Sequence, residues 1–457
     1  MKTLFTVAAL FVSASACAED AQGYWTGKIA NSLNVVVQFE KVDSRWDGSL
    51  SVPEQNLKAK VENLVVTPEQ LSFSLAKFNA TFAAKWSSQE KVWIGTWTQG
   101  QATPLILTRA TAASLDALTP KRPQEAAIAA RKATYRETEV SFTNDKAKIT
   151  LAGTLTLPQG KGPFPAVVLV HGSGPVNRDE EVFKHRPFLI WADHLARHGI
   201  AVLRYDKRGV AKSTGTFRNA SSYDFADDAA AALHFLRGMP EVDARRTGVI
   251  GHSEGGLIGP LLASRDPSLG FVVMLAGPGV RGEVLLTEQL ARASAAQGAP
   301  AEFVAKERAL NQALFAAMVS EASFDSASQK ATVVLGDAES KGILPAGMSK
   351  ILHKRFVNPW FHTFLAHDPA PALRTMRQPV LVLNGELDMQ VPSAMDLEPI
   401  RLALKDNPRA IVKELPKLNH LFQTAKTGAG SEYGAIEETV APLALEMVSE
   451  WIRATAK

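Results

Sequence analysis

The chain has 457 residues, 46% hydrophobic and 21% charged, with 31 glycines, 25 prolines and a net charge of +4. That composition fits a folded protein with room for two or three domains and a large apolar core, and it excludes a disordered chain, a collagen and a coiled coil. The basic excess is small and scattered, which argues against nucleic acid as a partner.

Residues 1–18 read as a secretory signal: Lys2 supplies the charged end, residues 4–12 a short apolar core, and Ala16-Cys17-Ala18 a small-residue cleavage site. The reading puts the mature start at Glu19 and the protein in the periplasm or outside the cell; a buried N-terminal helix is the competing reading. Cys17 is the sole cysteine and falls within this leader, so the mature chain would hold neither thiol nor disulfide. Lipidation of Cys17 is the weaker alternative, because Ala14 stands where lipoprotein signals usually place Leu. No second apolar stretch is long enough for a transmembrane span.

Residues 19–110 alternate aromatic or β-branched residues with polar ones, as in Val35-Val36-Val37-Gln38-Phe39 and Trp93-Ile94-Gly95-Thr96-Trp97, the pattern of a small all-β barrel or sandwich. Its tryptophans, Trp25, Trp46, Trp86, Trp93 and Trp97, fit either a core or a sugar- or lipid-binding face, and alternation favours the core. Residues 111–134, rich in Ala and charge and carrying Pro120 and Pro123, read as a linker with some helix. From Tyr135 strands alternate with helices, which predicts a parallel sheet covered on both faces. The expected strands are residues 167–170, 201–205, 247–250, 271–275, 380–383 and 411–415, each a short apolar run. From about residue 280 to 378 the alternation stops and a helical pattern intervenes, read as a cap inserted into the sheet domain.

Gly251-His252-Ser253-Glu254-Gly255-Gly256 follows one of these strands and precedes a helical run. A serine hydroxyl is a weak nucleophile, and a G-x-S-x-G turn between strand and helix exposes it to a base while the helix N-terminus adds positive potential. An oxyanion hole needs backbone N–H groups aimed at the developing charge. His171-Gly172-Ser173-Gly174-Pro175 has the small residues such a loop requires, so the expected donors are the N–H groups of Ser173 and Glu254. Acid and base should follow in the order Ser, acid, His at the ends of later strands. Asn384-Gly385-Glu386-Leu387-Asp388 and Lys417-Leu418-Asn419-His420 stand there, making Asp388 and His420 the natural partners and Glu386 the backup acid.

These motifs carry a resemblance. HGSGP, RYDKRG, GHSEGG and NGELD with a late LNH occur in the order seen in α/β-hydrolases of the dienelactone-hydrolase and serine-aminopeptidase-like group, over residues 135–457, about 70% of the chain. The resemblance implies an α/β-hydrolase fold with a mostly parallel central sheet. It also implies Ser253 as nucleophile, His420 as general base and then acid, and Asp388 as the group that orients the imidazole. One departure follows Asp206-Lys207-Arg208-Gly209, where Ala211 occupies a position often held by Gly.

Other polar residues carry less. His194 and His198 lie four apart on an expected helix but lack an acidic third ligand, so no metal is expected, and no cofactor is required. Asp206 and Arg208 read as an ion pair or loop brace, and His171 and His252 as shapers of their turns. Asp179-Glu180-Glu181 either clamps a substrate's free amine or is a solvated loop balanced by Arg178 and Lys184. In the cap, Trp360 and Phe361 are candidates to line a substrate pocket, with packing against the sheet as the competing role.

The expected function is hydrolysis of a small-molecule carboxylic ester through an acyl-enzyme. A serine peptidase of the same fold, acting on short peptides or aminoacyl amides, is the first rival; a non-catalytic glycan- or lipid-binding protein is the second. Substrate identity, oligomeric state and the role of the β domain are open at this level.

Overall fold

The computed structural model describes residues 21–29, 33–53, 57–118, 120–131 and 134–456. The expected leader, with Cys17, lies outside them. The chain divides into two units, Met1–Lys121 and Arg122–Lys457.

In the first unit the alternating runs become nine strands: β1 (Gly23–Ile29), β2 (Leu33–Val42), β3 (Arg45–Val52), β4 (Leu57–Lys60), β5 (Glu62–Val66), β6 (Gln70–Leu75), β7 (Ala80–Ser87), β8 (Val92–Gln99) and β9 (Gln101–Arg109). They pair in the order β4-β3-β2-β1-β9-β8-β7-β6-β5. The end strands β4 and β5 are separated in the chain by Val61 alone, and the Val61 N–H donates to the Gly48 carbonyl of β3 at 3.0 Å. The sheet therefore curls until its edges meet, and a barrel removes the exposed edges an open sheet would present. Period-two alternation turns Trp25, Phe39, Phe73, Phe82, Trp93 and Trp97 into its interior. Trp25 is fully buried, edge-on to Trp86 at 5.9 Å between ring centres. Trp46 and Trp86 are half-buried against the same cluster, so these tryptophans build a core and not a binding face. The short helix α1 (Ala112–Leu118) closes the unit.

The segment 111–134, expected as a linker with some helix, carries helix in both halves. Its second half is a helix, α2 (Pro123–Ala130), that belongs to the second unit. The Arg122 guanidinium donates to the carbonyls of Phe183, Lys184, Gly434 and Ile436, and Glu125 pairs with Arg186 at 2.7 Å. Four carbonyls and a buried carboxylate hold the segment in place, and the composition of the segment itself cannot reveal partners so distant in sequence.

The second unit is an eight-stranded sheet. Its strands and the helices between them are β10 (Tyr135–Asn144), β11 (Ile149–Pro158), β12 (Phe164–Val170), α3 (Pro187–Arg197), β13 (Ala201–Tyr205), α4 (Ser222–Arg237), β14 (Val242–His252), α5 (Glu254–Arg265) and β15 (Phe271–Leu275). Six helices follow before the next strand: α6 (Gly282–Ala296), α7 (Ala301–Val319), α8 (Phe324–Ser340), α9 (Met348–Phe356), α10 (Pro359–Ala366) and α11 (Ala370–Thr375). The chain ends with β16 (Val380–Gly385), α12 (Ser393–Ala403), β17 (Ala410–Leu415), α13 (Gly430–Tyr433) and α14 (Pro442–Thr455). The order is β10-β11-β13-β12-β14-β15-β16-β17.

From β13 to β17 every pairing is parallel, whereas β10, β11 and β13 pair antiparallel. The antiparallel start was not read from the sequence. Its cause is local: residues 145–148 make a tight turn, which can join only antiparallel neighbours. In the parallel part Val167, Leu169, Ile250, Val273 and Leu383 pack with α3 and α14, while Val168, Val170, Val249, Met274 and Val382 pack with α4, α5 and the inserted helices. Because the strands run the same way, the C-terminal ends of β12, β14, β16 and β17 share one edge of the sheet, where the loops of such folds gather their functional groups.

Candidate active site

Ser253 stands between β14 and α5 with φ +53° and ψ −115°, a strained conformation for a residue with a side chain. The turn is held on both sides: the Ser253 N–H donates to the Leu275 carbonyl and the Gly256 N–H to the Ser253 carbonyl, both at 2.8 Å. The flanking glycines are required by contact. A Cβ at Gly251 would lie 1.9 Å from the Gly255 carbonyl oxygen, and one at Gly255 would lie 2.0 Å from that of Val170. The sequence Gly-x-Ser-x-Gly thus dictates a turn tight enough to push the hydroxyl out of the sheet edge.

The loops after β16 and β17 bring Asp388 and His420 together. His420 Nδ1 donates to Asp388 Oδ2 at 2.8 Å, and both residues are buried. Asp388 Oδ1 accepts from the N–H groups of Gln390 and Val391 at 2.8 and 2.9 Å, so each carboxylate oxygen has a fixed partner. Asn419 locks the His420 loop: its Oδ1 accepts from the N–H groups of Leu421 and Gln423. Glu386, the backup acid, is exposed and accepts from the Lys417 N–H instead. With Nδ1 donating to a carboxylate, the lone pair of His420 sits on Nε2.

The loop after β12 lies against the elbow, since a Cβ at Gly172 would sit 3.2 Å from Ser253 Cβ. The Gly172 N–H donates to Glu180 Oε1 at 2.5 Å. Among the described residues no group accepts from the Ser173 N–H. Glu254 opens α5, where first-turn N–H groups lack intrahelical acceptors. Among the described residues neither of the two expected oxyanion donors is committed to an acceptor.

Glu180 was expected in a solvated or substrate-clamping run, yet it is buried and structural. His252 Nε2 donates to the His420 carbonyl at 2.9 Å, and His252 Nδ1 lies 3.1 Å from Glu180 Oε1. Burial alone would lower the His252 pKa, but the Glu180 carboxylate beside it outweighs burial and holds it above its ordinary 6.5. Burial likewise pushes Glu180 upward, and the His252 charge wins, holding it below 4.5. Both signs describe a buried ion pair that ties the loop before α3 to the elbow and to the His420 loop. His252 contributes its stabilisation in full below pH 6.5 and loses it as pH rises through the raised value; Glu180 contributes above pH 4.5 and loses it as pH falls. Glu180→Gln keeps an acceptor for Gly172 and removes the charge. It is expected to lower stability by about 1–3 kcal/mol near pH 5.5, with the difference gone at about pH 9. Urea midpoints of the two proteins at both pH values check this, and a difference independent of pH removes the ion-pair reading.

The neighbours of Glu180 are also engaged. Asp179 is paired with Arg204, and Glu181 accepts from Asn177. His171 keeps a hydrogen bond to the Tyr205 backbone while its Nε2 has no partner; burial lowers its pKa to about 4, and the neutral ring packs against Phe188 and Tyr205. Asp206 and Arg208 do not pair with each other; Asp206 binds Arg178 at 2.8 Å and Arg208 binds Asp228 at 2.6 Å. Ala211 has φ +47°, the left-handed region, which is the reason Gly is favoured there. The His194 and His198 rings stack at 4.2 Å, with His194 bonded to Ser449 and His198 to the His194 carbonyl.

A second buried pair escaped the sequence reading. Glu254 reaches away from the elbow to Lys207 at 3.0 Å, and the Lys207 ammonium also donates to the Gly172 carbonyl at 2.9 Å. Ser222 and the Trp360 indole both donate to Glu254 Oε1 at 2.6 Å. Lys207 thus braces the loop after β12 against the elbow, and Trp360 ties the inserted helices to it. Trp360 and Phe361 line a cavity of about 750 Å³ whose wall includes Ser173 and Gly174.

Comparison with known proteins gives the family. A model of the alpha/beta hydrolase family matches residues 167–426, more than half of the chain. The chain belongs to the alpha/beta hydrolase family. Its second unit has the alpha/beta hydrolase fold, with the helices from α6 to α11 as an insertion. Over 140 residues, 31% of this chain and 33% of the relative, it is 39% identical to the esterase EstD of Thermotoga maritima. Over 132 residues, 28% of each chain, it is 31% identical to the esterase FrsA of Vibrio vulnificus. The chain thus spans about a third of the length of the curated relatives it matches. Among solved structures, the Pyrococcus furiosus esterase Pf2001 aligns with a TM-score of 0.43 and 17% identity, covering 70% of this chain and 93% of that one. Among the described residues no helix is long and apolar enough to cross a membrane.

Proposed function

We propose that this alpha/beta hydrolase family member is a serine esterase that cleaves carboxylic esters through an acyl-enzyme. The observation that carries the reading is the 2.8 Å bond from His420 Nδ1 to a fully satisfied Asp388, beside a serine held on a strained turn. Asp388 fixes the tautomer, so His420 Nε2 takes the proton of Ser253 as the hydroxyl oxygen attacks the ester carbonyl. The N–H groups of Ser173 and Glu254 hold the tetrahedral oxyanion. His420 then passes the proton to the departing alkoxide oxygen, and water, deprotonated by the same nitrogen, releases the acid and restores Ser253. The chemistry calls for no cofactor. The leader-like residues 1–18 support a periplasmic or secreted setting.

The peptidase reading drew on residues 179–181 as an amine clamp, and two of those three carboxylates are already held within the fold. A glycan- or lipid-binding role would need the tryptophans that the barrel encloses. The test is a parallel assay on p-nitrophenyl esters of graded chain length and on aminoacyl p-nitroanilides, with a fluorophosphonate probe followed by intact mass. Ester turnover together with one covalent adduct at Ser253 is the expected result. Anilide turnover with little ester cleavage would move the assignment to a peptidase.

A further inference from the structure

The cavity beside the oxyanion loop has a charge of one sign. Three cationic residues line it, Arg218 from the loop after β13 and Lys354 and Arg355 from the last turn of α9, and no Asp or Glu lines it. The rest of the wall is apolar or neutral, with Trp360 and Phe361 nearest to the Glu254 anchor. Several other arginines of the unit, Arg178, Arg204, Arg208, Arg237 and Arg246, have carboxylate partners. Among the described residues none offers a carboxylate within ion-pairing distance of Arg218, Lys354 or Arg355. The Arg355 guanidinium lies 4.9 Å over the ring of Phe356, itself part of the wall, which holds this charge at the cavity surface.

Resting on the esterase reading, we propose that the substrate carries an anionic group remote from its scissile bond, a carboxylate or an equivalent oxyanion, which Arg218, Lys354 and Arg355 receive under the inserted helices. Like charges from two separate elements converge on one concave surface without a counter-ion, and each repels the others until an anion enters. The concave, partly apolar wall strengthens the attraction relative to open water, and guanidinium groups suit a planar oxyanion through paired donors. The same surface repels a free ammonium, so an aminoacyl substrate is a poor fit. The apolar stretch formed by Trp360 and Phe361 gives the spacer between the ester and its charge a place to lie.

The test uses two pairs of esters that differ in charge. 4-Nitrophenyl hydrogen adipate and 4-nitrophenyl hexanoate place the charge on the acyl side or omit it; 4-acetoxybenzoate and phenyl acetate do the same on the alcohol side. In at least one pair the anionic member is expected to show about tenfold higher kcat/KM, and raising ionic strength from about 0.02 to 0.5 M should erode that preference. In the triple variant Arg218→Gln, Lys354→Gln, Arg355→Gln the anionic-to-neutral ratio should collapse towards one. All three side chains are exposed, so the substitutions leave the core untouched. Equal kcat/KM within both pairs, or a preference that survives the triple variant, overturns the proposal. Turnover of the neutral esters and its dependence on Ser253 judge the esterase reading separately. Should neither member of either pair turn over, calorimetry with adipate decides: binding to the wild type that the triple variant lacks supports the anion site, and no binding overturns it.

Discussion

Ser253→Ala is expected to lower kcat for p-nitrophenyl esters by about four to six orders of magnitude while leaving the fold intact. The elbow is stabilised by backbone contacts: the N–H of residue 253 donates to Leu275, its carbonyl accepts from Gly256, and neither bond involves the hydroxyl. Alanine meets the same strain at φ +53° as serine, so the change removes the nucleophile and little else. The surviving rate should not reach zero, because the N–H groups of Ser173 and Glu254 still stabilise an oxyanion formed by direct attack of water; such residual catalysis is about a thousandfold or more over solution. Burst kinetics should vanish with the acyl-enzyme. The checks are single-turnover kinetics, the missing fluorophosphonate adduct and an unchanged melting temperature. Retention of more than a few per cent of the wild-type rate would falsify Ser253 as the nucleophile.

The elbow could be read from sequence because its requirements are local. Steric demand at Gly251 comes from the Gly255 carbonyl four residues on, although that at Gly255 comes from the distant Val170 carbonyl, and buried parallel strands write themselves as short apolar runs. Asp388 and His420 were also accessible, since each follows such a run at the sheet edge. The roles of Glu180 and Glu254 were not, although both stand inside motifs that drew attention. Glu180 is paired with a histidine 72 residues away, and Glu254 with an indole 106 residues away. A charge shows its sign in sequence but not its partner, and burial decides whether it is solvated, clamps a ligand or holds two loops together. Asp206 and Arg208 illustrate the same point, being neighbours in the motif whose carboxylate and guanidinium each found another partner. The positively lined cavity is the extreme case: Arg218 and Lys354 lie 136 positions apart, and only the insertion of six helices between β15 and β16 brings them to one wall.

Asp388→Asn is the second large effect, and its direction follows from two backbone amides. Asp388 Oδ1 accepts from the Gln390 and Val391 N–H groups, and Oδ2 accepts from His420 Nδ1. An asparagine in this place has one acceptor and one donor end. Turning its NH2 towards Gln390 and Val391 would set donor against donor at 2.8 to 2.9 Å and leave two buried N–H groups unsatisfied, at about 1–3 kcal/mol each. The carbonyl end must therefore keep the backbone amides, and the NH2 must face His420 Nδ1. That nitrogen can then only accept, so the imidazole proton moves to Nε2, the atom that has to receive the proton of Ser253. Geometry survives while the base is lost, and kcat/KM at neutral pH should fall by about three to four orders of magnitude. Because the lost group is a base and not a binding contact, KM should change far less than kcat. Fluorophosphonate labelling, which also needs an activated Ser253, should slow in parallel. Asp388→Ala separates orientation from tautomer: without a side chain the ring can adopt either proton arrangement, so its loss should be smaller than that of the isosteric amide. Equal kcat for the wild type and Asp388→Asn would mean that His420 takes its orientation from elsewhere, and the exposed Glu386 on the same loop would then be the next residue to remove.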